Sequence, residues 1–578
     1  MNRKILSALG VVVILALSVY GYIESTALAS GSGQPSPLTF PGLNFTPSEN
    51  RSSVPAISPI GNRTVDQGTL LSFQVNATDP GGRGLSYYAS TLPPGAAFDP
   101  GTRTFGWTPT DSQAGTFGVV FTVFNGITIA QERVSITVRP PSGAAVPGRR
   151  TELSSLIDSW SSLPGIRNGA PAQYNTSRTY TVDSTQSIQS VIDRASDGDV
   201  IIVDPGTYRE NLNVHRSIIL LGRDRPVLDA GGAGSALSLT IGGAVVDGFI
   251  INHSGSGLYN SGIKVSSNRN IIRNNTITGN QYGIYFVPPS SHNEVFHNNI
   301  YNNSLDGIFG TNMHEDTVIA SNQVLANGQA GVRIDLSSFL TITGNTIGFN
   351  GENGIILNRS ISNLVQGNTV QNNGYEGIYL RSGGRNLFTG NILRNNLESG
   401  IMIADSLDPD LRANQITPWT SSDFLNTVKE NSFFYNHGPG LFLDGVTALV
   451  DGNSFQDNQF GIKITDSIAS ITLNTAKGNS LGLFLLNTGN SSISQNILSG
   501  NEIGIFVQGL SGDNLIEQNT AGNNSISGIL LEPETRLNVV RENTATNNTD
   551  IGLGNYGQNY LMNNLVVFNG RNEVSTIS

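Results

Sequence analysis

The sequence predicts an all-β protein: a small β-sandwich followed by a long right-handed parallel β-helix with an N-terminal capping helix. Three observations carry this. Glycine is abundant, 67 of 578 residues, and only 13% of the chain is charged, a composition that suits turn-rich β structure. Between Pro55 and Arg139, short alternating apolar stretches are separated by turn signals. From Gly262 onward, a unit of 21 to 24 residues recurs to the end of the chain.

The elements follow in order. Residues 1–29 read as a secretory signal: Arg3 and Lys4, an apolar run from Ile5 to Val19, then Ala27-Leu28-Ala29 as the cleavage signal. The alternative is an uncleaved anchor, its run extended by Tyr20 and Tyr22. Either way, the rest of the chain is expected outside the cytoplasm, extracellular or on the cell surface, touching membrane only through an uncleaved leader. Residues 30–54 form a Gly/Ser/Pro linker. Residues 55–139 are the sandwich, with strands such as Leu71–Val75, Val119–Phe124 and Val134–Val138. Residues 140–178 form a second linker; within it Leu153, Leu156, Ile157, Trp160 and Leu163 fall at helical spacing and predict one short helix.

Residues 179–578 are the β-helix. Ile188, Val191, Ile192 and Ala195 share one face of a predicted helix that covers the open end of the core. Asp199–Val203, Asp204–Tyr208, Ile218–Leu221 and Val245–Ile250 read as the first, irregular coils. Each regular unit opens Gly-apolar-x-apolar, as at Gly262, Gly283, Gly354, Gly377, Gly461, Gly504 and Gly528. About 11 residues later comes apolar-x-x-Asn-x-apolar-x-x-Asn, found thirteen times, from Asn275/Asn280 to Asn564/Asn569. A period this short excludes propeller blades and helical pairs, and the Leu-rich phrase of leucine-rich repeats is absent. Each unit has too few apolar side chains to fold alone, so neighbours must share a core. Asn at a fixed turn position can bond the same Asn one coil away, an asparagine ladder. Thirteen repeats at roughly 4.8 Å give a stack on the order of 60 Å.

Two stretches also resemble known families. Leu92-Pro93-Pro94-Gly95, Phe98-Asp99, Phe105-Gly106-Trp107-Thr108-Pro109 and Gly115-Thr116-Phe117 resemble the Ig-like (cadherin-like) domain of surface proteins. That group often carries an acidic calcium turn, but Asp79-Pro80-Gly81-Gly82-Arg83 lacks two of its carboxylates and has a cation, so calcium is not expected there. Trp107 reads as core. Ser196 to Tyr208, together with the repeats, resembles the pectate-lyase-like β-helix proteins, most of all the NosD-like group of periplasmic and surface proteins. That fold hosts lyases, hydrolases, epimerases and inert adhesins, so the resemblance implies a fold more than a reaction.

The balance of 32 basic against 43 acidic residues, net −11, argues against a nucleic-acid partner and an anionic membrane surface. Zero cysteines exclude disulfides and thiolate chemistry. The NosD resemblance implies copper, but His292, His297 and the Met313-His314 pair are not assembled into a ligand set by spacing, so copper is not expected. His314-Glu315-Asp316 reads as a solvated turn; the Asp-Pro-His-Asp motif of alginate epimerases is absent.

Two sites remain. The x of Gly-apolar-x-apolar points outward and reads, down the stack, Lys264, Tyr285, Phe309, Arg333, Ile356, Tyr379, Met402, Phe442, Lys463, Phe484, Phe506 and Leu530. Such positions should be polar on a soluble sheet, so Tyr285, Phe309, Tyr379, Phe442, Phe484 and Phe506, with Trp419, are the expected ligand-binding residues for an extended polysaccharide or a surface protein. The second site is an oversized unit. Gly400 to Gly440 spans 40 residues, and its extra loop carries Asp405, Asp408, Asp410, Arg412 and Trp419. Asp444, Asp466, Arg381 and Lys463 fall near it on neighbouring coils, giving Asp405, Asp444, Asp466, Arg381 and Lys463 as the catalytic set if the protein is a polysaccharide lyase, hydrolase or epimerase. No cofactor is expected; the acidic loop has the hard oxygens that a Ca2+ would take. Asn-x-Ser/Thr sequences, among them Asn44, Asn50, Asn62, Asn76, Asn175, Asn252 and Asn358, permit surface glycosylation. Three classes stay open: a non-enzymatic binding module, a polysaccharide-active enzyme and a purely structural surface-layer component.

Overall fold

A computed structural model describes residues 55–90, 93, 96–110, 115–125, 129–139, 178–405 and 425–575. The leader, both linkers and the loop bearing Asp408, Asp410, Arg412 and Trp419 lie outside the described residues.

The sandwich region has a four-stranded sheet ordered Arg63–Asp66, Ile129–Arg139, Gly115–Phe124, Ser86–Ser90. A three-stranded sheet is ordered Leu71–Gln74, Thr104–Trp107, Ala97–Asp99, and Ala56–Ile57 pairs with Ala77–Thr78. Alternation buries Phe105, Trp107, Phe121 and Ile136 between the sheets. Trp107 is core, as its place in the strand implies. Asp79 accepts from the Asn125 amide at 2.7 Å and from the Arg83 backbone N–H at 2.8 Å, so neutral donors meet this carboxylate.

The repeats wind into three long parallel sheets. Sheet 1 has 17 strands, from Thr179–Val182 to Gln558–Met562. Sheets 2 and 3 have 16 each, starting at Thr207–Tyr208 and Leu212–Val214 and ending at Leu565–Val567 and Arg571–Ser575. Every coil contributes one short strand to each sheet, and register is kept down the stack: Ile342 aligns with Val365, then Phe388, Val428 and Val450. Inward residues of all three sheets form one continuous core from Val182 to Leu553. The helix Ile188–Arg194 closes its start, burying Ile188, Val191 and Ile192. Glu210 accepts from the helix's first N–H groups, Ile188 at 2.8 Å and Gln189 at 3.0 Å, placing an anion where the helix dipole favours one.

The repeated Asn residues turn inward and stack. Asn368 shows the pattern. Its Nδ2 donates to Asn391 Oδ1 on the next coil (3.0 Å) and to the Ile342 carbonyl on the previous one (2.9 Å), while its Oδ1 accepts from the Asn345 N–H (2.9 Å). Each Asn thus satisfies buried turn groups that neighbouring strands cannot reach. A second stack runs through Asn350, Asn373, Asn396 and Asn436. A third, which the repeat phrase did not reveal, precedes sheet 1: Asn363, Asn386 and Asn426, then Asn514, Asn538 and Asn559. Thr317 and Ser491 take the place of Asn with hydroxyls that accept from the N–H one coil back, and the stack is broken at Leu340, Ala448 and Ala469. The oversized unit is absorbed within one coil. The chain leaves sheet 3 after Ile401–Ala404, resumes sheet 1 at Asn426–Lys429, and Asn391 still pairs with Asn431 at 2.9 Å.

Candidate functional site on the outer face of sheet 3

The three sheets differ in what they show to solvent. Strands of sheet 2 repeatedly open with a small hydroxyl residue: Thr276, Thr346, Thr369, Ser454, Thr475, Thr520 and Thr544. Sheet 3 instead carries large aromatic, cationic and acidic side chains in three rows. One is the predicted x row. The second is the residue before each glycine, including Tyr282, Asp306, Asn353, Glu376 and Phe460. The third lies two residues after x, including Asp335, Asn358, Arg381 and Asp444.

The rings of the x row gather into two columns. Tyr259 stacks on Tyr285 (centroids 5.0 Å, planes 8° apart) and Tyr285 on Phe309 (5.3 Å), with Tyr282 beside both. The Arg333 guanidinium covers Phe309 at 5.6 Å. Further on, Phe460 stacks on Phe484 and Phe484 on Phe506 (5.7 and 5.5 Å), while the Lys463 ammonium lies 4.4 Å from the Phe442 centroid. Rings stacked along the coil axis turn their faces to each other and their edges outward. The sequence reading has these rings exposed; the structure leaves Tyr285 only 5% exposed, Phe484 1% and Phe506 7%. Phe309, Tyr379 and Phe442 are half-buried. The cause is lateral stacking between coils, which alternation along a strand cannot report.

Between the columns lies a polar window. Arg333 is held by Asp335 with nitrogen–oxygen distances of 3.2–3.3 Å. Asn353 donates to Glu376 Oε2 at 2.7 Å, and Ile356, Asn358 and Tyr379 stand beside them half-buried, with Arg381 exposed at the edge. At the start of the window Asp306 is buried to 2% exposure and accepts from the Ala330 N–H at 2.9 Å. Burial pushes its carboxyl up to about 7 against the pull of that N–H and of Arg333. Burial also raises Glu376 and lowers Lys463, the latter opposed by Asp444. Asp306, Asn353 and Glu376 were missed because each unit was read from its glycine onward. Their fixed position before Gly307, Gly354 and Gly377 is the signal that finds them.

The acidic set comes to one edge of sheet 3. Arg381 aligns with Ala404, Ala404 with Asp444, and Asp444 with Thr465. Asp405 and Asp466 occupy the next position, two coils apart, roughly 10 Å at ~4.8 Å per coil. The Asp405 N–H donates to the Asp444 carbonyl at 3.1 Å, and Ser382 donates to Asp405 Oδ1 at 3.3 Å. Lys463 lies on the x row beside Phe442, near enough to Asp444 for that carboxylate to favour its charged form. Trp419 is outside the described residues.

Met313 is fully buried in the core while His314 contacts Ser338 Oγ at 3.1 Å and His292 lies 3.7 Å from Glu315, so the Met-His pair does not converge. Among the described residues, no group of three His, Cys, Asp or Glu side chains could hold a metal ion.

Comparison with known proteins decides the family. The model for "Right handed beta helix region" matches residues 231–364 and 414–569, half of the chain. The chain belongs to the right-handed β-helix family. Within this β-helix, residues 306–437 also match the model "Periplasmic copper-binding protein (NosD)", and residues 54–139 match "Putative Ig domain". A "Cell surface glycoprotein" of Methanothermus fervidus is 32% identical over 126 residues, 21% of this chain and 20% of that protein, so the match spans about a fifth of the relative's length. Among solved structures, the Azotobacter vinelandii mannuronan C-5 epimerase AlgE4 A-module is 14% identical, covering 68% of this chain and 94% of its own, with a TM-score of 0.35. Pectate lyase Pel9A is also 14% identical, covering 53% and 80%, with a TM-score of 0.32. These likenesses extend to the β-helix fold alone.

Proposed function

We propose that the protein is exported and displayed at the cell surface, where its β-helix binds an extended polysaccharide along the outer face of sheet 3 without cleaving it. The observation that carries this reading is the outer face of sheet 3, where aromatic, cationic and acidic side chains are kept in rows from coil to coil and meet in the polar window around Arg333, Glu376 and Arg381. A solvated sheet has no need of such residues at outward positions. Equivalent positions recur every ~4.8 Å, close to the rise of a sugar chain. The polar window offers hydrogen-bonding groups, with Tyr379 and Arg381 at its open side. Surface display is supported by the leader signal and by the name of the Methanothermus relative. The reading calls for no cofactor.

A second reading, cleavage, is favoured by one observation. Asp306 titrates near neutral pH, where a carboxyl group serves as a general acid. One experiment separates the readings. The purified protein is passed over neutral and uronic polysaccharides, scoring retention and new chain ends. Retention without new ends is the expected result, with at least tenfold weaker retention for the Tyr379→Ala, Arg381→Ala double variant and none of that loss for Thr369→Ala on sheet 2. New ends that vanish in Asp306→Asn establish cleavage there; ends that vanish in Asp444→Ala or Asp466→Ala move it to the inserted loop. No retention on any glycan leaves a structural surface component.

A further inference from the structure

The coil geometry divides the chain's Asn-x-Ser/Thr sequences into two physical classes. None of the 26 Asn residues in the two repeat-phrase stacks opens such a sequence. The turn residue just outside a stack does so where it is itself Asn and the stack Asn is followed by Ser or Thr, as in Asn523-Asn524-Ser525 and Asn547-Asn548-Thr549. These two, and Asn490 in Asn490-Ser491-Ser492, sit in turns at φ 56° with exposed side chains. Their amide nitrogens donate no hydrogen bond among the described residues. The other sequences on the β-helix differ. Asn274 spends its amide on Asp247 Oδ1 at 3.0 Å. Asn252 and Asn302 carry buried side-chain oxygens. Asn358 is half-buried, and the hydroxyl two residues on, Ser360, is fully buried and bonded to the Ile334 carbonyl at 3.2 Å.

We propose that Asn490, Asn523 and Asn547 are the N-glycosylation sites of the β-helix, and that their glycans border sheet 3 over its C-terminal coils. Asn523 and Asn547 occupy the corner between sheets 2 and 3, one coil apart; Asn490 occupies the corner between sheets 3 and 1. The sugars therefore flank the Phe484–Phe506 column on both sides and leave the polar window around Arg333 and Tyr379 uncovered. The donor is a lipid-linked glycosyl phosphate presented by a transferase. The amide nitrogen forms a C–N bond to the anomeric carbon, the C–O bond to phosphate breaks with its electron pair leaving on phosphate, and the amide loses one proton. An exposed, unbonded amide in a turn can reach such a centre; an amide engaged in the coil cannot. This inference stands apart from the glycan-binding reading, since the window around Arg333 and Tyr379 is left uncovered whether these three sites carry sugar or not.

The test is peptide mass spectrometry of the exported protein taken from the cell that makes it, before and after enzymatic removal of N-linked sugar. The expected result is a glycan mass on Asn490 and on at least one of Asn523 and Asn547, with Asn252, Asn274, Asn302 and Asn358 bare. Asn490→Gln should lose its mass increment while keeping the melting transition of the unmodified chain. Bare peptides at all three positions overturn the proposal, as does sugar on Asn252, Asn274, Asn302 or Asn358 in place of the exposed three.

Discussion

Asp306 shows what one buried carboxyl does to the molecule. Its ordinary value is 3.8 and burial lifts it to about 7. Between those values the folded chain holds a proton that the unfolded chain has released, so stability falls as pH rises from about 4 to about 7 and is flat above. The stability at stake is about 4 kcal/mol at most. Asp306→Asn keeps an oxygen for the Ala330 N–H and removes the titration. Denaturant unfolding at pH 5 and pH 8 should therefore show the variant stabilised at pH 8 and the difference shrinking toward pH 5; equal effects at both pH values would contradict the burial. Asn368 makes the complementary point. Replacing it by Leu leaves the Asn345 N–H and the Ile342 carbonyl without partners inside the coil, a loss of roughly 3 kcal/mol, measurable as a lower unfolding midpoint.

At the scale of elements, the two aromatic columns are staples between coils. Phe484, 1% exposed and stacked on both Phe460 and Phe506, should cost about 3 kcal/mol when replaced by Ala. A half-buried ring at the window should cost less, about 1 kcal/mol. Calorimetry of Phe484→Ala beside Tyr379→Ala separates the two roles, the first lowering Tm clearly more than the second. These columns also mark where reading the sequence stops. Strand alternation says that Tyr285 and Phe484 point away from the core. Whether they then meet water or the next coil's ring depends on rotamers set across the stack. The same limit hid the third Asn stack, whose period is interrupted at Leu340, Ala448 and Ala469 and carried by hydroxyls at Thr317 and Ser491.

For the whole molecule, the repeat was legible because one physical requirement recurs at each coil. Gly262, Gly283 and their successors pass a corner where a Cβ would meet inner side chains and backbone within 3 Å, and the inward Asn must reach two neighbouring coils. Those constraints are local and periodic, so they appear as letters at fixed spacing. The site is neither. The polar window takes Asp306, Arg333, Asn353 and Arg381 from four coils and different rows, and no single unit contains it. The central claim, that this window and its flanks bind an extended glycan, is tested most directly by titrating the protein with oligosaccharides of increasing length from whichever polysaccharide retains it. The account predicts affinity that rises with each added sugar until the ligand spans the window, and that falls at least tenfold in Tyr379→Ala, Arg381→Ala at every length. Affinity independent of length, or unchanged in that variant, would contradict it.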